Sequence, residues 1–147
     1  MGPVAGPVGD HVLIADTSAW TRSEREAVAA RWQTALTSGQ IATCPIVKME
    51  LLYSARDAAE LAQKERSLSM LYDVPINKPV TDAAIVALRE LAHRGPVHHR
   101  LPLSDVLIAA AAQEFEVGVL HYDRHFDRLA EVLEFESRWV APPGSLD

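Results

Sequence analysis

Short aliphatic runs alternate with longer stretches in which apolar residues recur every three or four positions, and this alternation continues along almost the whole chain. Runs of the first kind predict buried strands, and stretches of the second kind predict amphipathic helices. His11–Ala15 (HVLIA) is the first strand, and the polar turn Asp16, Thr17, Ser18 leaves Asp16 at its carboxyl end. Ser23–Leu36 carries Ala27, Ala30, Trp32 and Leu36 among charges, with Ser23 and Glu26 spaced as a capping box and Gly39 as the stop. Gln40–Cys44 is a second strand, and Pro45 then opens a helix, PIVKMELLYSA, that contains Glu50. Asp57–Tyr72 is a third helix, followed by VPINKP as a short edge strand or loop. Asp82–Ala92 is helical and closes near Gly95 and Pro96, and Val97–Leu103 is a loop. Ser104 is placed to cap the strongly apolar helix DVLIAAAAQEF, whose first turn holds Asp105. Val117–Tyr122 is a core strand, Asp123–Val132 a turn and short helix, and Glu134–Val140 the last strand.

Strands that alternate with amphipathic helices imply an α/β fold, a three-layer α/β/α sandwich around a central, mostly parallel sheet. Ligands gather at the carboxyl ends of the strands in such sheets, so Asp16 and Asp123, each directly after a core strand, are the first candidates for a shared site. Residues 1–10 hold three glycines and two prolines without periodicity and are expected to form a flexible arm. Residues 11–141 are expected to form one domain, and 142–147 a C-terminal tail.

Composition narrows the class. The chain has 147 residues, 48% of them hydrophobic, which is enough to bury one sizeable core. The longest apolar stretch, Val106 to Ala112, is about a third of the roughly 20 residues needed to cross a bilayer. One cysteine, Cys44, and the lack of a signal-peptide pattern point to a reducing, cytoplasmic setting. The net charge of −6 argues against a general nucleic-acid coat but not against a nuclease, because carboxylates converging on cations account for part of it.

Asp16 in IADTSAW, Glu50 in KMELL, Asp105 in PLSDVLIAAA and Asp123 in LHYDRHF are all acids set beside strongly apolar sequence. A carboxylate in such surroundings is partly desolvated, which is costly unless it is paired or bound to a cation. If several of them meet, repulsion protonates some unless a divalent cation neutralises the group. Hard oxygen ligands suit Mg²⁺, with Mn²⁺ as a substitute. A cation held there lowers the pKa of its bound water and so supplies a nucleophile.

These segments in this order resemble the PIN domain, in the version found in VapC toxins of toxin–antitoxin pairs, from Ile14 to about Trp139. The resemblance implies a metal-dependent endoribonuclease with Asp16, Glu50, Asp105 and Asp123 as both the catalytic set and the metal site. It implies auxiliary roles for Thr17 and Ser18, whose hydroxyls would hold a metal-bound water or a phosphate oxygen. It also implies a cognate VapB-type antitoxin lying in a groove between helices, a structured RNA substrate such as tRNA or ribosomal RNA, and a homodimer. The family often shows DxDF where this chain has Asp123, Arg124, His125 and Phe126, so His125 stands in place of an acid. His121 likewise replaces the usual Thr or Ser.

Plainer readings stand beside these. Asp16 alone is a turn former capping Ser18 or Ala19, Asp105 alone a favourable first-turn acid, and Asp127 a surface acid pairing with a nearby arginine. His98, His99 and Arg100 are a solvated loop unless they touch RNA, Trp20 and Trp32 have core or partner-facing spacing, and Cys44 is a small buried hydrophobe. No cysteine or histidine spacing suits zinc. Two other functions fit parts of the pattern: a catalytically silent PIN module that only binds a partner, and another α/β phosphohydrolase with Asp16 as covalent nucleophile. Ser18, where the latter needs a second acid, speaks against it.

Overall fold

Three-residue runs of Leu, Ile and Ala are too short to be helices and apolar on both faces, which suits strands covered on both sides. They form a five-stranded, wholly parallel sheet in the computed structural model, which describes residues 12–146. The elements follow as β1 (Leu13–Ala15), α1 (Thr17–Trp20), α2 (Glu26–Thr37), β2 (Ile41–Thr43), α3 (Pro45–Tyr53) and α4 (Ala58–Leu68). Then come β3 (Tyr72–Asp73), α5 (Lys78–Arg94), α6 (Leu103–Glu114), β4 (Gly118–His121), α7 (His125–Leu129) and β5 (Ser137–Trp139). The strand order is β3-β2-β1-β4-β5. The expected arm, residues 1–10, and His11 lie outside the described residues.

Alternation along each strand sorts its side chains to two helical layers. Ile14, Ala42 and Val119 point to one face and pack with α3, α5, α6 and α7 through Val47, Leu91, Ile108 and Phe126. Leu13, Ala15, Ile41 and Leu120 point to the other and pack with Ala19 of α1 and with Val28 and Trp32 of α2. The three-layer α/β/α architecture is therefore as the sequence predicts. Gly118 opens β4 where no side chain fits: a Cβ there would lie 2.6 Å from Leu13 Cδ2 and 2.9 Å from the Glu136 carbonyl oxygen.

Several local expectations are corrected. The capping box at Ser23 and Glu26 does not form, because Ser23 Oγ donates to the Trp20 carbonyl and α2 begins at Glu26 behind Arg25. Ser104 does not cap α6, which starts two residues earlier, with Pro102 in the cap position. The helix expected to reach Tyr72 ends at Leu68, and Tyr72–Asp73 is itself the edge strand, bonded to β2. Asn77 caps α5 by accepting from the Val80 amide, so Pro79 sits in a first helical turn, where its missing N–H costs nothing, rather than in a loop. The tail folds back on the domain: the Leu146 amide donates to the Tyr122 hydroxyl at 2.8 Å, and Arg25 donates to the Leu146 carbonyl at 2.8 Å.

Candidate functional site

The strand order reverses direction between β1 and β4, and a crevice opens at such a point beyond the strands' carboxyl ends. Asp16 is the first residue past β1, its amide still bonded to the Leu120 carbonyl, and Asp123 lies two residues past β4. Asp105 reaches the same crevice from the first turn of α6, and Glu50 from α3.

Asp16 is buried, and its Oδ2 accepts both the Ser18 amide (3.0 Å) and the Ser18 hydroxyl (2.6 Å). The same hydroxyl accepts the Tyr122 amide at 2.9 Å, so Ser18 ties the end of β1 to the end of β4. That hydroxyl thus donates to Asp16 and accepts from Tyr122, which holds the two strand ends together. Thr17 Oγ1 donates to Glu50 Oε1 at 2.6 Å. Glu50, expected near the core boundary, is exposed, because α3 turns Val47, with Ile46 and Leu51 beside it, to the core and leaves Glu50 off that face.

The tightest grouping is Asp105, Asp123 and His125, whose ligand atoms all lie within 4.8 Å of one another. His125 Nδ1 is 2.9 Å from Asp105 Oδ2 and 3.1 Å from Asp123 Oδ1. The His125 amide also donates to Asp123 Oδ1, at 3.0 Å. The residue that replaces the usual acid therefore faces the cluster.

Charge is strained here. Burial first, then the charge of Asp16 and that of Asp123, pushes Asp105 up to about 6, against the hydrogen bond from His125. Asp16 is raised by burial, with Glu50 adding to the rise and the bonds from Ser18 opposing it. The four acids are thus coupled in a chain, Glu50 to Asp16 to Asp105 to Asp123. Two carboxylates and an imidazole converging in a partly buried crevice, with two more acids beside them, are a donor set that fits a divalent cation.

Behind Asp123 runs a network that the sequence did not suggest. The Asp123 amide donates to His121 Nδ1 at 3.1 Å, so Nε2 carries the ring proton and donates to Ser137 Oγ at 2.7 Å. Ser137 in turn donates to Asp127 Oδ1 at 2.8 Å, and Asp127 Oδ2 accepts from Trp139 Nε1 at 3.0 Å. Burial lowers the His121 pKa to about 4, which keeps this ring neutral and the tautomer fixed. Asp127 therefore anchors Ser137 and Trp139 of β5, and among the described residues it forms no ion pair with an arginine, which differs from the expectation. No local pattern marks these residues, since they meet only through the pairing of β4 with β5.

The remaining candidates are elsewhere. The contacts of the His98–Arg100 loop run to α7 and its C-terminal flank, with Arg128 donating to the His98 carbonyl at 3.4 Å and His98 Nε2 3.7 Å from Glu131. Cys44 is fully buried, which raises its pKa to about 11. Trp32 is buried and meets Trp20 edge to face, with ring centres 4.8 Å apart.

Comparison with known proteins places this geometry. A family profile described as the PIN domain matches residues 13–132. The chain is 38% identical to Ribonuclease VapC18 of Mycobacterium tuberculosis over 92% of this chain and 99% of that one. It is 33% identical to Ribonuclease VapC51 of the same organism, covering 90% and 95%. In fold it is similar to a chain in the crystal structure of DNA-bound VapBC from Salmonella typhimurium, with TM-score 0.70 and 18% identity over 90% of this chain and all of that one. VapBC2 from Rickettsia felis bound to a promoter DNA fragment gives TM-score 0.67 at 18% identity, covering 85% and 97%.

Proposed function

Since the chain belongs to the PIN-domain family, in its VapC branch, we propose that it is a toxin-type, metal-dependent endoribonuclease restrained by a cognate VapB-type antitoxin. The observation that carries this reading is the convergence of Asp105, Asp123 and His125 within 4.8 Å at the point where the sheet reverses. Asp105, Asp123 and His125 would hold the cation, Mg²⁺ or Mn²⁺, with Asp16 and Glu50 on the adjoining rim. Such a cation supplies charge neutralisation and an acidified water for phosphodiester hydrolysis. Asp105, at the dipole-positive start of α6, orients the attacking water. Ser18 keeps Asp16 aimed across β1 and β4, Thr17 restrains Glu50, and neutral His121 fixes the backbone at Asp123. No side-chain nucleophile takes part, so the products carry 5′-phosphates.

The partner reading is supported by an apolar groove lined by Trp20 of α1, Leu51 of α3, Lys64 and Leu68 of α4, and neighbouring Leu71. Exposed Met70 borders it. An antitoxin segment seated there would run toward the acidic rim, where a basic side chain would meet Glu50. The substrate is a structured RNA such as tRNA or ribosomal RNA. The setting is cytoplasmic, and no helix of the described residues is long and apolar enough to cross a membrane. The toxin forms a homodimer through a face away from the carboxyl strand ends, to be checked by light scattering.

Cleavage of total tRNA and ribosomal RNA with Mg²⁺, Mn²⁺ or EDTA tests the proposal. Metal-dependent cuts with 5′-phosphate ends are expected. A protein that binds its antitoxin but cuts no RNA with either metal is a silent PIN module, and EDTA-resistant cleavage refutes the metal reading.

A further inference from the structure

Beside the acidic cluster lies an open hollow of about 510 Å³, walled by Tyr122, Asp123, Arg124, His125, Trp139 and Gly144. That size falls within the roughly 300–1,000 Å³ of small-ligand sites. Two walls belong to the cluster, while Tyr122, Trp139 and Arg124 are aromatic or cationic side chains that have no part in the chemistry above. The Trp139 ring is held from behind: Asp127 accepts its Nε1 proton, His121 meets it edge to face at 5.1 Å, and Tyr122 does so at 5.4 Å. The Tyr122 hydroxyl is bonded to the folded-back tail, whose turn at Gly144 closes the far side. Half-buried rings fixed in this way lose little entropy when another ring stacks on them.

The cations are set over these rings. Arg124 is exposed, its guanidinium carbon is 5.8 Å from the centre of the Trp139 ring, and it forms no ion pair among the described residues. Arg22 lies 4.5 Å over the Tyr122 ring. Aromatic faces interleaved with arginines, next to a site for phosphodiester cleavage, are the elements of a single-strand nucleic-acid platform.

We propose that this hollow is a nucleobase subsite for single-stranded RNA, in which one unpaired base stacks on Trp139 while Arg124 contacts the flanking phosphate. It rests on the ribonuclease reading and deepens it: the nucleotide beside the cut is splayed out of any helix. Asp123 and His125 wall both sites, so a base seated here brings its neighbouring phosphodiester to the cluster. A duplex base is already stacked and paired and does not enter.

The test uses the full chain in EDTA, which removes cleavage from the readout. Uridine and adenosine 5′-monophosphate should quench tryptophan fluorescence, and the quench should vanish in Trp139→Phe, which retains Trp20 and Trp32. With metal restored, Trp139→Leu should raise KM for RNA about tenfold with kcat within about twofold, and Trp139→Phe, which keeps a stacking ring, should raise it less. Arg124→Glu, an exposed position that does not threaten folding, should weaken binding of a labelled oligouridylate in EDTA by a similar factor. If the wild type cuts RNA but no mononucleotide quenches and both KM and oligouridylate binding are unchanged, the subsite is refuted and the ribonuclease stands. If nucleotides quench at Trp139 but no RNA is cut, the subsite stands and the ribonuclease reading falls.

Discussion

Exchanging Asp105 for asparagine separates the cost of the acidic cluster from its use. Burial and the neighbouring acids push Asp105 from 3.8 up to about 6 in the folded chain. The folded state therefore binds this proton more tightly than the unfolded state does. Stability falls as pH rises from about 4 to about 6 and stays at the lower value above that. At ~1.4 kcal/mol per pKa unit, keeping Asp105 ionised in the cation-free protein at pH 7.5 costs on the order of 3 kcal/mol. Asparagine has the same shape and no charge, and its amide still serves as a partner for His125.

Asp105→Asn is thus expected to be more stable than the wild type in EDTA at pH 7.5, by up to ~3 kcal/mol, or roughly 5–10 °C in Tm. Mg²⁺ or Mn²⁺ should raise the Tm of the wild type, because a bound cation relieves the same repulsion, and raise that of the variant far less. RNA cleavage should be lost while the antitoxin complex survives, the groove being lined by other residues. Scanning calorimetry with and without EDTA, alongside the cleavage assay, reads all of this. A variant less stable than the wild type in EDTA, or one that still cleaves, refutes the argument.

Other perturbations probe neighbouring parts. His121, with its pKa lowered to about 4, stays neutral when folded, so its stabilisation is lost as pH falls from about 6.5 toward 4, opposite in sign to Asp105. The two slopes oppose each other in the wild type, so Asp105→Asn should lose stability more steeply than the wild type as pH falls from about 6 to about 4 in urea titrations. His125→Asp adds an oxygen ligand and a charge, so the ratio of Mg²⁺-supported to Mn²⁺-supported activity should rise. Unchanged metal preference would mean that His125 does not serve the cation. Gly118→Ala drives a methyl against the Glu136 carbonyl and Leu13 and should cost about 1–3 kcal/mol by urea unfolding.

What was legible in the sequence follows from what is local. Aliphatic triplets such as LIA and GVL, and the 3.6-residue spacing of the helices, are decided within a few residues, so the layers and the parallel sheet could be read directly. Boundaries were harder. Ser23 and Glu26 had the spacing of a cap, but α1 and the turns after it capture the Ser23 hydroxyl first. Tyr72 continued a helical pattern, yet pairing with Ala42 of β2 drew it into the sheet. The acids at the strand ends were legible because topology alone sends Asp16 and Asp123 to one crevice. The line from Asp127 through Ser137 to His121 was not, since those residues join only when β5 pairs with β4.

The plain reading of the acids does not compete with the proposed one, and the reason is atomic. Asp16 does act as a turn former, capping α1, but both of its bonds from Ser18 fall on Oδ2. Neither Ser18 bond falls on Oδ1, so the turn draws chiefly on one oxygen of the pair. Asp105 is a first-turn acid as well, which favours its charge, yet burial and the charge of Asp16 outweigh that benefit, since its pKa rises where a helix start alone would lower it. A helix-start acid with no further role gains nothing from such a cost, whereas the cation site proposed above would offset it, which is why the raised pKa of Asp105 favours that proposal.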